Sequence, residues 1–210
     1  AAILCDRPGA PGGPDALSKA LAGRTYCCAS AGNHGLSVAT GARLFGARAV
    51  IFLAEGVPAA FAERLRRAGA EVRRAGSDYE ASMAAAVAAC AAEGWTHLSD
   101  SSWPGYSELP RRVMEGYLVA AEEVVRSLAE PPSHVFLQAG VGGFAAAMAA
   151  LFRARWGAAP TIVVVEPASA RCLLESVRAG RPVAAPGPVS TMGRLDCKEA
   201  SLLALAELGR

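Results

Sequence analysis

The sequence predicts an α/β fold of parallel sheets flanked by helices, and three observations carry that expectation. Short apolar runs rich in β-branched residues alternate with longer helical patterns along the chain, the order in which a helix crosses over between parallel strands. Two of those runs lead straight into a glycine-bearing turn that opens a helix, at residues 30–35 after TYCCA and at residues 140–143 after HVFLQ. Finally, 210 residues that are 52% hydrophobic and 19% charged suffice for one large or two small globular cores and are too apolar for disorder.

Taken in order, strands are expected at residues 25–29 (TYCCA), 48–53 (RAVIFL), 71–74, 96–99, 134–138 (HVFLQ) and 161–165 (TIVVV). Helices are expected between them. Residues 33–45 begin at the polar Asn33 and stop at Gly46, residues 57–68 stop at Gly69, and residues 79–92 close at Gly94, the usual start and stop signals. Residues 105–128 give the longest helical pattern, with a kink or a lead-in turn and with Pro110 near the start, where a missing N–H is tolerated. Pro131 and Pro132 break the chain before His134, FAAAMAALFRARW resumes a helix after the second glycine turn, and residues 181–190 (RPVAAPGPVS) read as loop. No fixed-period repeat or low-complexity tail is visible.

A net charge of +2 gives no basic excess for neutralising phosphates, so nucleic acid is not an expected partner. No apolar run approaches the roughly 18 residues of a membrane helix. The six cysteines form no C-x-x-C pair and read as buried reduced thiols, in keeping with a cytoplasmic protein. His34, His97 and His134 lack the short spacing of a metal site, so no metal is expected. Only Lys19 and Lys198 among the 21 basic residues are lysines, which leaves two candidates for any amine chemistry. The N-terminal AAILCDRPGAPGGP has no initiator Met and no signal-peptide layout, and it reads like a chain entered partway.

Two places stand out as sites. In Ser30-Ala31-Gly32-Asn33-His34-Gly35, free N–H groups at a helix start beside glycines can hold an anion. A bare strand-to-helix turn with Asn33 as N-cap explains the same residues. In Gly140-Val141-Gly142-Gly143, the backbone can cradle a phosphate with help from the helix dipole. Two other readings stay open there: a purely structural glycine turn, or a dinucleotide fingerprint in which Glu166 at the end of the next strand binds a ribose.

The run Ser30-Ala31-Gly32-Asn33-His34-Gly35-Leu36-Ser37-Val38-Ala39 resembles the asparagine loop of the tryptophan synthase β and threonine dehydratase superfamily of pyridoxal phosphate (PLP) enzymes. Within it, the chain is most similar to the diaminopropionate ammonia-lyases. That likeness rests on Asp100-Ser101-Ser102-Trp103-Pro104-Gly105-Tyr106, on Leu109-Pro110 with Val113-Met114-Glu115-Gly116-Tyr117, and on residues 133–142 (SHVFLQAGVG). It also rests on Val165-Glu166-Pro167 and on residues 191–197 (TMGRLDC). The blocks keep their order from about Arg24 to Cys197.

The resemblance implies PLP fold type II: two lobes with parallel sheets flanked by helices, apparently incomplete at both ends. Residues 24–99 would form the smaller lobe, and residues 1–23 and 100–210 parts of the larger one. Asn33 would hydrogen-bond the phenolic oxygen of PLP, Gly140, Val141, Gly142 and Gly143 would hold its phosphate, and the N–H groups around Ser30, Gly32 and His34 would hold the carboxylate of a small amino-acid substrate. Asp100 matches an acidic residue near the substrate and would serve as an acid/base or supporting group, an exposed helix-cap aspartate being the alternative. The implied activity is α,β-elimination to a 2-oxo acid and ammonia. A homodimer is compatible with a family that is often dimeric.

The departures matter as much. Where ammonia-lyases typically carry an aspartate before Gly-Asn-His-Gly, this chain has Ala31, which cannot move a proton and which resembles the serine and threonine dehydratases. Nothing matches the family's cofactor-anchoring lysine, since Lys19 lies in ALSKAL rather than in the apolar-glycine motif. Arg194 and Lys198 stand where the resembling segment usually has glycine. Two explanations remain: a piece of a longer enzyme, which is the favoured one, or a silent phosphate- or PLP-binding domain. On either, the 210-residue chain is expected to be inactive.

Overall fold

A computed structural model describes residues 18–210. They fall into two compact units that divide between Ser99 and Asp100. The first holds a four-stranded parallel sheet, β1 (Thr25–Ala29), β2 (Arg48–Leu53), β3 (Glu71–Arg74) and β4 (Thr96–His97), in the order β3-β2-β1-β4. Three helices connect them: α1 (Asn33–Leu44), α2 (Ala59–Arg67) and α3 (Tyr79–Glu93).

Side-chain alternation explains why both faces of this sheet are covered. Tyr26, Cys28, Ala49, Ile51 and Leu53 point to one face and pack with Val38, Ala39 and Ala42 of α1 and with Ala62 and Leu65 of α2. Cys27, Ala29, Val50 and Phe52 point to the other and meet Ala86 and Cys90 of α3. Leu21 joins the first of these cores and donates its N–H to the Phe45 carbonyl. The start of α3 is set by Asp78, whose carboxylate accepts from the Ala81 N–H at 2.8 Å. Its end is set by Gly94 at φ +66°, a left-handed conformation that glycine adopts without a Cβ clash.

The expected fourth strand ran to residue 99, yet β4 ends at His97. Leu98 still donates to the Cys27 carbonyl at 2.8 Å, but its own carbonyl is taken by the His34 ring at 2.7 Å. The next rung of the ladder has lost its acceptor to a side chain.

The second unit contains a two-stranded parallel sheet, β5 (His134–Gln138) and β6 (Thr161–Val165), with Phe136 opposite Val163. Four helices belong to it: α4 (Glu108–Ser127), α5 (Gly143–Trp156), α6 (Cys172–Ala179) and α7 (Leu202–Leu208). The alanines of α5, four of them fully or almost fully buried between residues 145 and 149, bring it close against α4 and α7. Leu137, Met148, Phe152, Cys172 and Leu173 fill the core around it. The lead-in to α4 is a tight turn. Trp103 and Tyr106 exchange backbone hydrogen bonds and stack with ring centroids 4.3 Å apart, around Pro104 and Gly105 at φ +83°, the residue pair a type II turn favours. Among the described residues no helix is long and apolar enough to cross a membrane.

Candidate active site

In the first unit β1 delivers the chain to Ser30, whose Oγ accepts from the Gly32 N–H at 3.3 Å. Gly32 is the N-cap of α1, and its carbonyl accepts from Leu36. Asn33 is therefore not the cap: it is the first helical residue, its side chain exposed. The simple capping explanation of that asparagine falls away, because the cap position is occupied by a residue with no side chain. The first-turn amides of Asn33, His34 and Gly35 have no intrahelical acceptor, and they carry the partial positive charge of a helix start. Gly35 is fixed by packing, since a Cβ there would lie 2.1 Å from the Ser30 carbonyl oxygen.

His34 has two separate parts to play. Its ring is buried, and Nε2 lies 2.7 Å from the Leu98 carbonyl. A carbonyl only accepts, so Nε2 carries the proton and the tautomer is set. What His34 leaves open is its backbone N–H.

In the second unit the glycine loop at residues 140–143 follows β5. The Gly140 carbonyl accepts from the Cys172 thiol at 3.7 Å and the Val141 carbonyl from the Ser201 N–H at 2.9 Å. Gly142, at φ +99°, caps α5, and its carbonyl accepts from Ala146, so the amides of Gly143, Phe144 and Ala145 remain unspent within the helix. Packing explains two of the three glycines. A Cβ on Gly140 would meet the Cys197 sulfur at 2.9 Å, and one on Gly142 would meet Leu173 at 2.9 Å and Ala204 at 3.0 Å. Gly143 is different: a Cβ there would make only ordinary contacts, 3.5 Å from the Asp100 carbonyl oxygen and 3.7 Å from Met114. Packing alone does not require a glycine at that third position.

Asp100 thus lies beside the loop. It is half-buried and eight residues ahead of α4, not an exposed helix cap. Burial, followed by the Asp100 charge, pushes the Tyr117 phenol above its ordinary range, and Tyr117 packs edge-on against Phe144 in the first turn of α5 at 5.3 Å. Burial, then Asp100 with Cys172 and Asp196, pushes the Cys197 thiol up to about 12; burial, then Glu166, does the same for Cys172.

These two thiols predict a pH response. Their folded values lie above the ordinary 9.0, near 12, so the stabilisation from keeping them protonated is complete below about pH 9. It is lost between 9 and 12 as the unfolded chain ionises first, at up to about 1.4 kcal/mol per pH unit for each thiol. Urea titrations of the wild type and of C172A/C197A across that range check it, with the double variant showing the flatter alkaline limb.

The residues missed in the sequence are Ser102 and Ser201, both buried. Their hydroxyls lie 2.8 Å apart, the Ser102 N–H donates to Ser201 Oγ, and the Leu203 N–H donates to Ser102 Oγ. With the Ser201 N–H on Val141, they clamp the Asp100 segment to the glycine loop. Only the position of Ser201 ahead of a leucine-rich helical run could have signalled it.

Glu166 is engaged elsewhere than the dinucleotide reading needs. Its two carboxylate oxygens accept from the Leu173 and Leu174 N–H groups at 2.9 and 3.0 Å, so it caps α6 from a distance. Replacing it with alanine is expected to lower stability by about 0.5–2 kcal/mol in denaturant titration, and NADH is expected not to bind either form. Of the lysines, Lys198 donates to the Ser169 and Pro188 carbonyls and to Asp196, and Lys19 is exposed in a turn of the first unit.

Comparison with known proteins places this geometry. The chain is 36% identical to a diaminopropionate ammonia-lyase from Salmonella typhimurium over 186 residues, covering 85% of this chain and 46% of that protein. It is 32% identical to a serine dehydratase-like protein from Mus musculus, covering 83% of this chain and 51% of the other. A crystal structure of Escherichia coli diaminopropionate ammonia-lyase in complex with D-serine superposes with a TM-score of 0.88 at 28% identity, covering 99% of this chain and 54% of that one. The chain spans about half the length of the curated relatives it matches. Its parallel sheets flanked by helices are those of PLP fold type II. With residues 11–210 matching the pyridoxal-phosphate dependent enzyme family, the chain belongs to that family, whose cofactor is pyridoxal 5'-phosphate.

Proposed function

We propose that the protein to which these residues belong is a PLP-dependent ammonia-lyase acting on a small amino acid of the diaminopropionate type, by α,β-elimination to a 2-oxo acid and ammonia. The observation that supports this reading is the open N-terminus of α5 at Gly143, with the backbone of Asp100 running beside it. The loop fits a phosphate monoester: three unspent amides, a helix dipole and a glycine whose missing side chain packing does not demand.

In this reading the amides of Gly143, Phe144 and Ala145 hold the phosphate, and Gly140, Val141 and Gly142 give the loop its shape. Bound PLP supplies an electron sink that makes the substrate's Cα proton removable. By the family resemblance, Asn33, whose side chain is exposed, would offer its amide to the phenolic oxygen of that cofactor. The His34 N–H binds the substrate carboxylate. Ser30 Oγ, already accepting from Gly32, donates its own proton to the same carboxylate, so Gly32 acts through Ser30 rather than directly. Asp100 holds or moves a proton at the substrate's reacting end.

A second reading has a specific observation behind it. Ala31 stands where the ammonia-lyases resembled here carry an acid, which favours a serine or threonine dehydratase-type substrate. The test compares diaminopropionate, serine and threonine as substrates for a longer polypeptide that includes an upstream lysine, scored by 2-oxo acid formation, with D100N alongside. Turnover of diaminopropionate that falls about 10²–10⁴-fold in D100N supports the first reading. Turnover of serine or threonine alone, indifferent to D100N, supports the second.

A further inference from the structure

Between α6 and α7 the chain runs from Gly180 to Ser201 without helix or strand, and the end of that stretch is what the glycine loop leans on. The Cys197 sulfur would lie 2.9 Å from a Cβ on Gly140, the Val141 N–H faces the same sulfur, and the Val141 carbonyl accepts from the Ser201 N–H at 2.9 Å. A segment with no ladder of its own keeps one shape only where side chains tie it down. Lys198 supplies most of the ties. Its ammonium donates to the Ser169 carbonyl ahead of α6 at 3.1 Å, to the Pro188 carbonyl at 3.3 Å and to Asp196 at 2.5 Å, while its own carbonyl accepts from Ala185. The other Asp196 oxygen accepts from the Ser190 N–H at 3.2 Å. With side chains only 22% and 11% exposed, Lys198 and Asp196 are not the solvated kind of ion pair that contributes little.

We infer that Lys198, paired with Asp196, is a positioning residue for the phosphate seat: it holds residues 194–201 in place, and with them the Cys197 sulfur and the Ser201 amide that set Gly140 and Val141. The inference rests on the reading of residues 140–143 as that seat. Lys198 has no part in the chemistry, because its donors are spent on two carbonyls and a carboxylate. What it governs is how much of the time the loop stands in its binding shape. Without the ammonium, Asp196 keeps a largely buried charge with no cation beside it, and the Ser169 and Pro188 carbonyls lose a donor, a state that is relieved when the segment moves away from Gly140. A seat that is ready only part of the time binds its anion more weakly by that fraction.

The test compares the 210-residue chain with its K198M, K198R and D196N variants, well below their melting temperatures, by fluorescence titration with PLP, by competition with inorganic phosphate and by hydrogen exchange. In K198M the Kd for both probes should rise about 10-fold. The Ala185, Ser190 and Ser201 amides, which bond across the segment, should exchange at least about 10-fold faster, with β1 and β2 unchanged. D196N should move both readouts in the same direction, and K198R, which keeps the cation, should stay within about threefold of the wild type in Kd. A lysine that served stability alone would lower the melting temperature and leave both affinities where they were. That result overturns the inference, as does a K198R chain that binds no more tightly than K198M, or a Ser201 amide that exchanges in K198M as it does in the wild type. A wild type that binds neither probe overturns the reading of the seat and the role of Lys198 with it, whereas a wild type that binds both while K198M matches it overturns the role of Lys198 alone. Should K198M fail to fold, D196N decides by the same measurements.

Discussion

Supplied with PLP, the purified 210-residue chain is expected to release neither ammonia nor a 2-oxo acid from diaminopropionate, serine or threonine. The reason lies in which groups can move a proton or hold the cofactor covalently. Ala31 occupies the position of the acid that the resembling ammonia-lyases place before their asparagine loop. Lys198 is held by two carbonyls and a carboxylate, and Lys19 lies in a surface turn. On the proposed reading Asp100 would be a proton-transfer group without its usual counterparts, and losing one general acid/base alone lowers a rate by about 10²–10⁴-fold. On the proposed reading the glycine loop at residues 140–143 should still take PLP reversibly. A coupled assay for the 2-oxo acid, followed by borohydride reduction and mass analysis, checks both halves of this expectation. PLP-dependent ammonia release, or a reduced adduct on Lys19 or Lys198, would overturn it. Activity in a longer polypeptide that is lost on replacing its upstream lysine agrees with it.

Gly35→Ala is expected to be a strongly damaging small substitution in the first unit. The new Cβ would lie 2.1 Å from the Ser30 carbonyl oxygen and 3.1 Å from its carbon. Both are backbone atoms, so no side chain can swing away, and either the start of α1 or the end of β1 must move. Overpacking of this kind costs about 1–3 kcal/mol, which corresponds to a fall of roughly 4–24 °C in melting temperature for a unit of this size. Gly143→Ala is the control: its Cβ would meet only ordinary contacts at 3.5 and 3.7 Å, and stability should hold within about 0.5 kcal/mol. Thermal melts of the two variants side by side settle the matter, and equal losses would mean that the Ser30 turn is softer than its geometry implies.

Much of the fold was legible because the chain marks its strands plainly. TYCCA and RAVIFL alternate between two helical layers residue by residue, and five of the six strands have the ends that their apolar runs indicate. The sixth was misread at its end because the limit on β4 is a hydrogen bond from His34, 64 positions away. The short helix α6 went unmarked for a related reason: its cap is the Glu166 side chain reaching from seven and eight residues earlier, not a local Ser or Asp. The sequence also left Asn33 open between cap and ligand, and only the backbone of Gly32 closes the first option. The Ser102–Ser201 pair spans 99 residues, a separation at which no local pattern can speak.

The glycine loop at residues 140–143 has a bearing on how such a protein could change over time. Its contour is enforced from outside, by Cys197 against Gly140 and by Leu173 and Ala204 against Gly142. A lineage could therefore keep all four loop residues letter for letter and still lose the proposed anion seat, through a larger side chain at 204 or a repacked residue at 173. Equally, retuning of the seat could begin at those distant positions, with the motif itself left untouched as a poor witness to what the protein binds.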